Sequence, residues 1–170
     1  MSDPYLNYPD EGRTYKYVNQ HHYRGRTVHC DLRFQTDSDY LIGWTLLDGI
    51  TDKIKEPVLT LKDAKELDAK DIFKIDWEKG EVKERKIRGG VIRPADIRAI
   101  EKKPEPSAWF EVEGVTAPGT VGATKEFPGV FHIIDKGTVE FGAQKFYFHE
   151  YFLSEGKLKG RICFRMIGRK

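Results

Sequence analysis

Residues 17–34, YVNQHHYRGRTVHCDLRF, decide how the rest of the chain is read. The second half alternates strictly, so in an extended strand His29, Asp31 and Arg33 point to one face and Cys30, Leu32 and Phe34 to the other. One face is apolar and the other carries chemistry. Residues 15–21 have the aromatic and β-branched content of a partner strand, and Tyr23-Arg24-Gly25-Arg26 supplies the bend between them. The antiparallel pair is expected to set His21 beside His29 and Asp31. Two imidazoles and a carboxylate on one sheet face suit a divalent cation such as Mn²⁺ or Zn²⁺, and Arg33 is placed to clamp an anion held by that ion. Alternation alone is a weak signal, because histidine and aspartate on a polar strand face are most often solvated surface residues.

Working outward, 170 residues make one domain, 1–170, large enough to bury a core without disulfides or a structural metal. The 29 basic and 27 acidic residues nearly cancel, so binding to a polyanion has to come from a local patch. Cys30 and Cys163 do not make a disulfide framework and are expected to be reduced core residues of a cytoplasmic protein. No apolar run approaches the roughly 20 residues needed to span a bilayer, and an amino terminus with Asp3, Asn7, Asp10 and Glu11 is no signal peptide. No membrane association is expected.

Residues 1–14, rich in Pro, Gly, Tyr and Asp, are expected to form an irregular arm. A turn at Asp37-Ser38-Asp39 leads to a third strand over residues 40–46, with Trp44 as a core anchor. Thr60 and Asp63 signal the start of a helix over about residues 61–72. Residues 73–77 and 82–87 alternate on either side of Lys79-Gly80, which is a hairpin signature. Its charged side, with Lys83, Arg85, Lys86 and Arg88, is either a solvated face or a nucleic-acid contact. Residues 92–100 fit a short helix or a strand. Further on, residues 110–115, 130–134, 144–153 and 158–167 alternate between turns at Gly119 to Gly122, Lys136-Gly137 and Ser154-Glu155-Gly156. Phe146, Phe148 and Phe152 are expected in the core, with Tyr147, His149 and Tyr151 on the opposite side. His132 and His149 are either further ligands or structural residues. Many short strands with little helix predict a mainly β fold, a closed or nearly closed β-barrel with a few short peripheral helices.

Five ordered blocks carry a resemblance. They are Val18-Asn19-Gln20-His21-His22 with His29-Cys30-Asp31-Leu32-Arg33-Phe34 and Leu41-Ile42-Gly43-Trp44, then Phe110-Glu111-Val112-Glu113-Gly114, Pro118-Gly119 with Gly122-Ala123, Ile134-Asp135-Lys136-Gly137-Thr138, and Gly156-Lys157-Leu158-Lys159-Gly160-Arg161. In this order they resemble the 3′-phosphoesterase domain at the head of bacterial DNA ligase D, also found as a stand-alone protein in some archaea. The match covers about residues 15–48 and 98–167, and the unmatched stretch, about 49–95, is expected to be an inserted helix and hairpin. The resemblance implies a β-barrel and a Mn²⁺ site, with His21, His29 and Asp31 as metal ligands. It implies catalytic roles for these three and for Arg33, with Arg33 and Arg98 on phosphate. It makes Asp10, Glu11 and Arg13 candidates to fold over the site. The implied partners are nucleic-acid 3′ ends, of DNA or of RNA/DNA strands, and a ligase or polymerase of end joining.

Three residues depart from the family pattern. Asp48 stands where the family has a phosphate-contacting lysine, which Lys53 or Lys55 would have to replace; Glu105 stands near a family histidine, and Trp109 at a family tyrosine. Two functions follow. One is a metal-dependent phosphoesterase that processes nucleic-acid 3′ ends in repair, and the other a catalytically silent relative that binds such ends or a protein partner.

Overall fold

A computed structural model describes residues 11–48, 54–70, 72–82, 85–87, 90–92 and 97–166. Asp10, Lys53, Lys83 and Arg88 lie outside them. In chain order the elements are β1 (Thr14–Arg24), β2 (Thr27–Phe34), β3 (Tyr40–Leu46), α1 (Leu61–Asp68), β4 (Ile75–Asp76), β5 (Glu81–Val82), β6 (Arg85–Ile87), β7 (Gly90–Ile92), β8 (Ala99–Glu101), β9 (Glu105–Pro106), a 3-10 turn (Ser107–Glu111), β10 (Gly114–Thr116), β11 (Gly129–Lys145), β12 (Phe148–Ser154) and β13 (Gly160–Arg165). The main sheet runs β13-β12-β11-β1-β2-β3-β8, with β10 added to β11 and β9 to β3. The fold is mainly β, and the sheet curls into an antiparallel half-barrel. Closure is incomplete, because no pairing joins β13 to β8 among the described residues.

The curl encloses one face. Tyr17, Cys30, Leu32, Phe34, Phe141 and Tyr151 bury their side chains together there, and the Phe34 ring lies 4.5 Å from Tyr151 and 5.7 Å from Phe141, centroid to centroid. Each such ring contributes roughly 2–3 kcal/mol by leaving water. Trp44 reaches across the opening, stacked 4.2 Å from Phe164, with its Nε1 donating to Tyr151 Oη at 3.1 Å. α1 covers one end of this inner face through Ala64, which packs with Tyr23, Val28 and Val130. Its start is capped by Thr60, whose hydroxyl accepts from Asp63 N at 3.1 Å.

Several local expectations are corrected. The helix ends at Asp68 rather than near residue 72, and a second small hairpin, β6–β7, follows β4–β5. The strand expected over residues 110–115 is present only as β10, and Ser107–Glu111 form the 3-10 turn, because Gln20 Nε2 donates to the carbonyls of Trp109 and Val112 at 2.8 and 2.9 Å and Phe110 tucks against Val18 and Leu41. Lys136-Gly137 is no turn but lies within β11. Gly137 serves close packing: a Cβ there would lie 2.5 Å from Ser154 O and from the Tyr17 ring. Phe146 and Phe152 are exposed at 53% and 38%, while His149, Tyr151 and Leu153 are buried, so the parity of β12 is the reverse of that expected. Aromatic residues occupy both parities there, so hydrophobicity cannot choose between them; Phe146 falls in the turn between β11 and β12.

Candidate metal and anion site

The register of the first hairpin decides which histidine meets which. β1 and β2 pair His22 with His29, His21 with Cys30, Gln20 with Asp31 and Val18 with Arg33. Directly opposed residues share a face. His22, His29, Asp31 and Arg33 therefore occupy the outer face, and His21 turns inward with Cys30. The expected grouping of His21 with His29 and Asp31 is corrected to His22, His29 and Asp31. The signal was present in the sequence: a bend of two or four residues pairs even positions of β1 with odd positions of β2.

These three residues offer ligand atoms that all lie within 4.8 Å of one another. His22 Nδ1 is 3.2 Å from His29 Nε2 and 3.3 Å from Asp31 Oδ2, and His29 Nε2 is 3.1 Å from Asp31 Oδ1. His22 Nε2 lies 2.6 Å from the Gly122 carbonyl, which can only accept, so Nε2 carries the hydrogen and Nδ1 turns its lone pair toward the cluster. A second ring nitrogen tied to a carbonyl is the usual way a ligating histidine is oriented. The left-handed Gly122, φ +89°, makes the approach possible, since a Cβ there would press to 3.0 Å from the Phe131 ring that stacks on His22.

Cations surround the carboxylate. Arg33 NH2 is 3.2 Å from Asp31 Oδ2, and Lys102 Nζ is 2.7 Å from Oδ1, though without hydrogen-bond alignment, so buried Oδ1 has a charged neighbour and no directed donor. Burial opposes ionisation of Asp31, but the adjoining His22 and His29 imidazoles and the charge of Lys102 outweigh it and hold the carboxyl well below its usual range. Burial pushes the His22 imidazole down, against the pull of Asp31. Arg33 is 3% exposed, and its guanidinium lies 5.4 Å over the Trp109 ring. Its Nε and NH1 have no hydrogen-bond acceptor. Glu105 Oε1 stands 3.8 Å from Arg33 NH1 and 3.7 Å from Lys102 Nζ. Glu105 and Trp109 thus both sit beside Arg33. Lys102, which sequence reasoning passed over, is placed by the bond from its own N to Gly43 O at 2.9 Å. Gly43 faces Arg33 across β2 and β3, so Lys102 lies in line with Arg33. Arg98 is exposed and not part of this contact set. Its carbonyl accepts from Leu47 N at 2.9 Å, which puts it just ahead of β8, about level with His29 and two strands away.

Behind the sheet, His21 is fully buried, with Nε2 bonded to Asp48 Oδ2 at 2.7 Å and Nδ1 to Asp68 Oδ1 at 2.8 Å. Burial alone would lower its pKa, but these two carboxylates raise it to about 9. Asp68 also accepts from Tyr23 Oη at 2.5 Å and bonds His132 Nδ1. Asp48 further accepts from Ile75 N at 2.7 Å and Trp77 Nε1 at 2.9 Å. Asp48 is therefore an inner-face anchor for the β4–β5 hairpin and does not face the outer cluster. His132 belongs to this network. His149 bonds Gln144 Oε1 at 2.8 Å inside the curl, where burial takes it down to about 4. Arg13 pairs with Asp37 at the surface, Glu11 is exposed, and Lys55 is exposed with its carbonyl bound by Arg26.

No protein-family model matches the chain, and a search of curated proteins finds no match. No helix among the described residues is long and apolar enough to cross a membrane.

Proposed function

We propose that the protein is a divalent-metal-dependent phosphoesterase acting on nucleic-acid 3′ ends, with His22, His29 and Asp31 as the metal ligands. The observation that carries this reading is the His22–His29–Asp31 cluster, with one imidazole tautomer held by Gly122 and a buried carboxylate oxygen lacking a directed donor. The donor set, two imidazoles and one carboxylate, fits Mn²⁺ or Zn²⁺. Such an ion supplies Lewis-acid activation of a phosphoryl group or of the attacking water. Arg33 offers its open Nε and NH1 to phosphoryl oxygens, and Lys102 adds a point charge on the same side. Trp109 stacks on the guanidinium and holds its plane. The resemblance to the ligase-linked phosphoesterases supplies the 3′ end as substrate. Glu105 and Trp109, in place of the family histidine and tyrosine, favour the second reading, a silent module that binds such ends, because neither side chain is a ready proton donor at neutral pH.

The test uses primers ending in a 3′ phosphate and in a 3′ ribonucleotide, with Mn²⁺ or with chelator. Mn²⁺-dependent trimming is expected for the parent protein, together with a loss of at least about 10-fold in Mn²⁺ affinity in His22→Ala. Turnover that survives both chelator and His22→Ala would overturn the metal site, and binding of the primers without turnover would leave the silent module.

A further inference from the structure

We infer that Glu105 sorts substrates by charge, so that the site takes a monoanionic phosphodiester in preference to a dianionic terminal phosphate; this rests on the phosphoester reading above. Among the described residues Arg33 and Lys102 are the arginine and lysine cations beside Asp31, and Glu105 is a second carboxylate within 4 Å of both. The distances, 3.8 Å to Arg33 NH1 and 3.7 Å to Lys102 Nζ, are too long for hydrogen bonds. Glu105 therefore lends negative charge to the place where an anion would sit and leaves the Arg33 donors open. Those donors, Nε and NH1, are buried and without an acceptor, on a side chain only 3% exposed. An oxyanion bound at NH1 has Glu105 as a near neighbour.

The carboxylate has little room to withdraw. Leu41 of β3 pairs with Glu105, the next residue is proline, and Ser107 N bonds Asp39 O at 3.1 Å. Its side chain is 30% exposed against 3% for Arg33, so it is the more open of the two to solvent. A single negative charge on the ligand is met by two cations and the metal. A second one adds repulsion from Glu105 across a few ångströms, a distance at which unit charges differ noticeably in energy even near a protein surface. Discrimination built on a repulsive group is the usual route to specificity between ligands that share their attractive contacts.

Titration calorimetry of the full chain at about pH 8 compares methyl phosphate, a dianion there, with dimethyl phosphate, a monoanion. The Glu105→Gln variant, of nearly the same shape, is expected to bind methyl phosphate about 10-fold more tightly while dimethyl phosphate changes by less than about 3-fold. Glu105→Asp, which keeps the charge, is expected to preserve the parent's ratio. An equal gain for both ligands, or no gain for methyl phosphate, overturns the inference. Mn²⁺ titrations on the same samples keep the two ideas apart. Mn²⁺ binding with no change in ligand ratio removes the charge sorting alone, whereas a changed ratio without Mn²⁺ binding removes the metal-dependent function and leaves a charge-sorting anion site.

Discussion

His21 and His22 are neighbours in sequence and opposites in environment. His21 lies inside the curl with a carboxylate on each ring nitrogen, and every polar atom of the ring is satisfied. His22 lies outside, one nitrogen fixed by a carbonyl and the other turned to His29 and Asp31 in a cluster whose carboxylate oxygen lacks a directed donor. Satisfied buried networks hold a fold together, and unsatisfied ones beside open cations invite a ligand. The contrast separates the two histidines more sharply than burial does, since both are largely buried.

The strongest way to break the contrast is to unpair the inner network. Asp48→Ala takes the acceptor from His21, Ile75 N and Trp77 at once and leaves a buried imidazolium with one partner. The expected cost is about 3–5 kcal/mol, a fall in melting temperature on the order of 10 °C. Mn²⁺ affinity of the folded fraction should stay near that of the parent. A stable Asp48→Ala protein with lost metal affinity would mean that the inner network, and not the outer cluster, is the functional one.

The pH dependence sharpens it further, because the two histidines carry opposite signs. The folded state raises His21 to about 9, so its contribution is complete below the unfolded value near 6.5 and is lost as pH rises through 9. A shift of that size corresponds to about 3 kcal/mol. The folded state lowers His22, so its contribution is present above about 6.5 and is lost as pH falls below that value. Denaturant titrations between about pH 6 and 10 should show stability declining on the alkaline side, and His21→Asn should flatten that decline. An unchanged slope in His21→Asn would place the titrating group elsewhere.

The difference between the faces also explains what could be foreseen. Strict alternation in β2 was legible because Cys30, Leu32 and Phe34 differ so plainly from His29, Asp31 and Arg33, and the third strand was legible from its flanking turn and Trp44. β1 offers no such contrast. Asn19 and His21 face inward while Val18 and His22 face outward, so polarity runs against parity there and only pairing register assigns the faces. Lys102 was not legible from spacing, since it reaches Asp31 from across β3 in a line set by a backbone bond to Gly43. Asp48 misled because two of its carboxylate's three partners, Ile75 and Trp77, lie in a hairpin without counterpart in the matched blocks.

The smallest expected effect is the most particular to this arrangement. Lys102 Nζ sits 2.7 Å from Asp31 Oδ1, the same oxygen that faces His29 Nε2 at 3.1 Å. The ammonium thus neutralises the carboxylate that a divalent cation would need, and the two compete through like charge. Lys102→Met keeps most of the aliphatic stem and removes the charge. Mn²⁺ should then bind about 3- to 10-fold more tightly, from loss of a unit positive charge a few ångströms away in a partly screened site. Phosphate ligands should bind more weakly, since only Arg33 of the described Arg33–Lys102 pair is left to receive them. The gain in metal affinity should shrink as salt is raised. Weaker Mn²⁺ binding in Lys102→Met would mean that the ammonium positions Asp31 instead of competing for it, and equal losses for metal and phosphate would make Lys102 a packing residue of the β3–β8 edge.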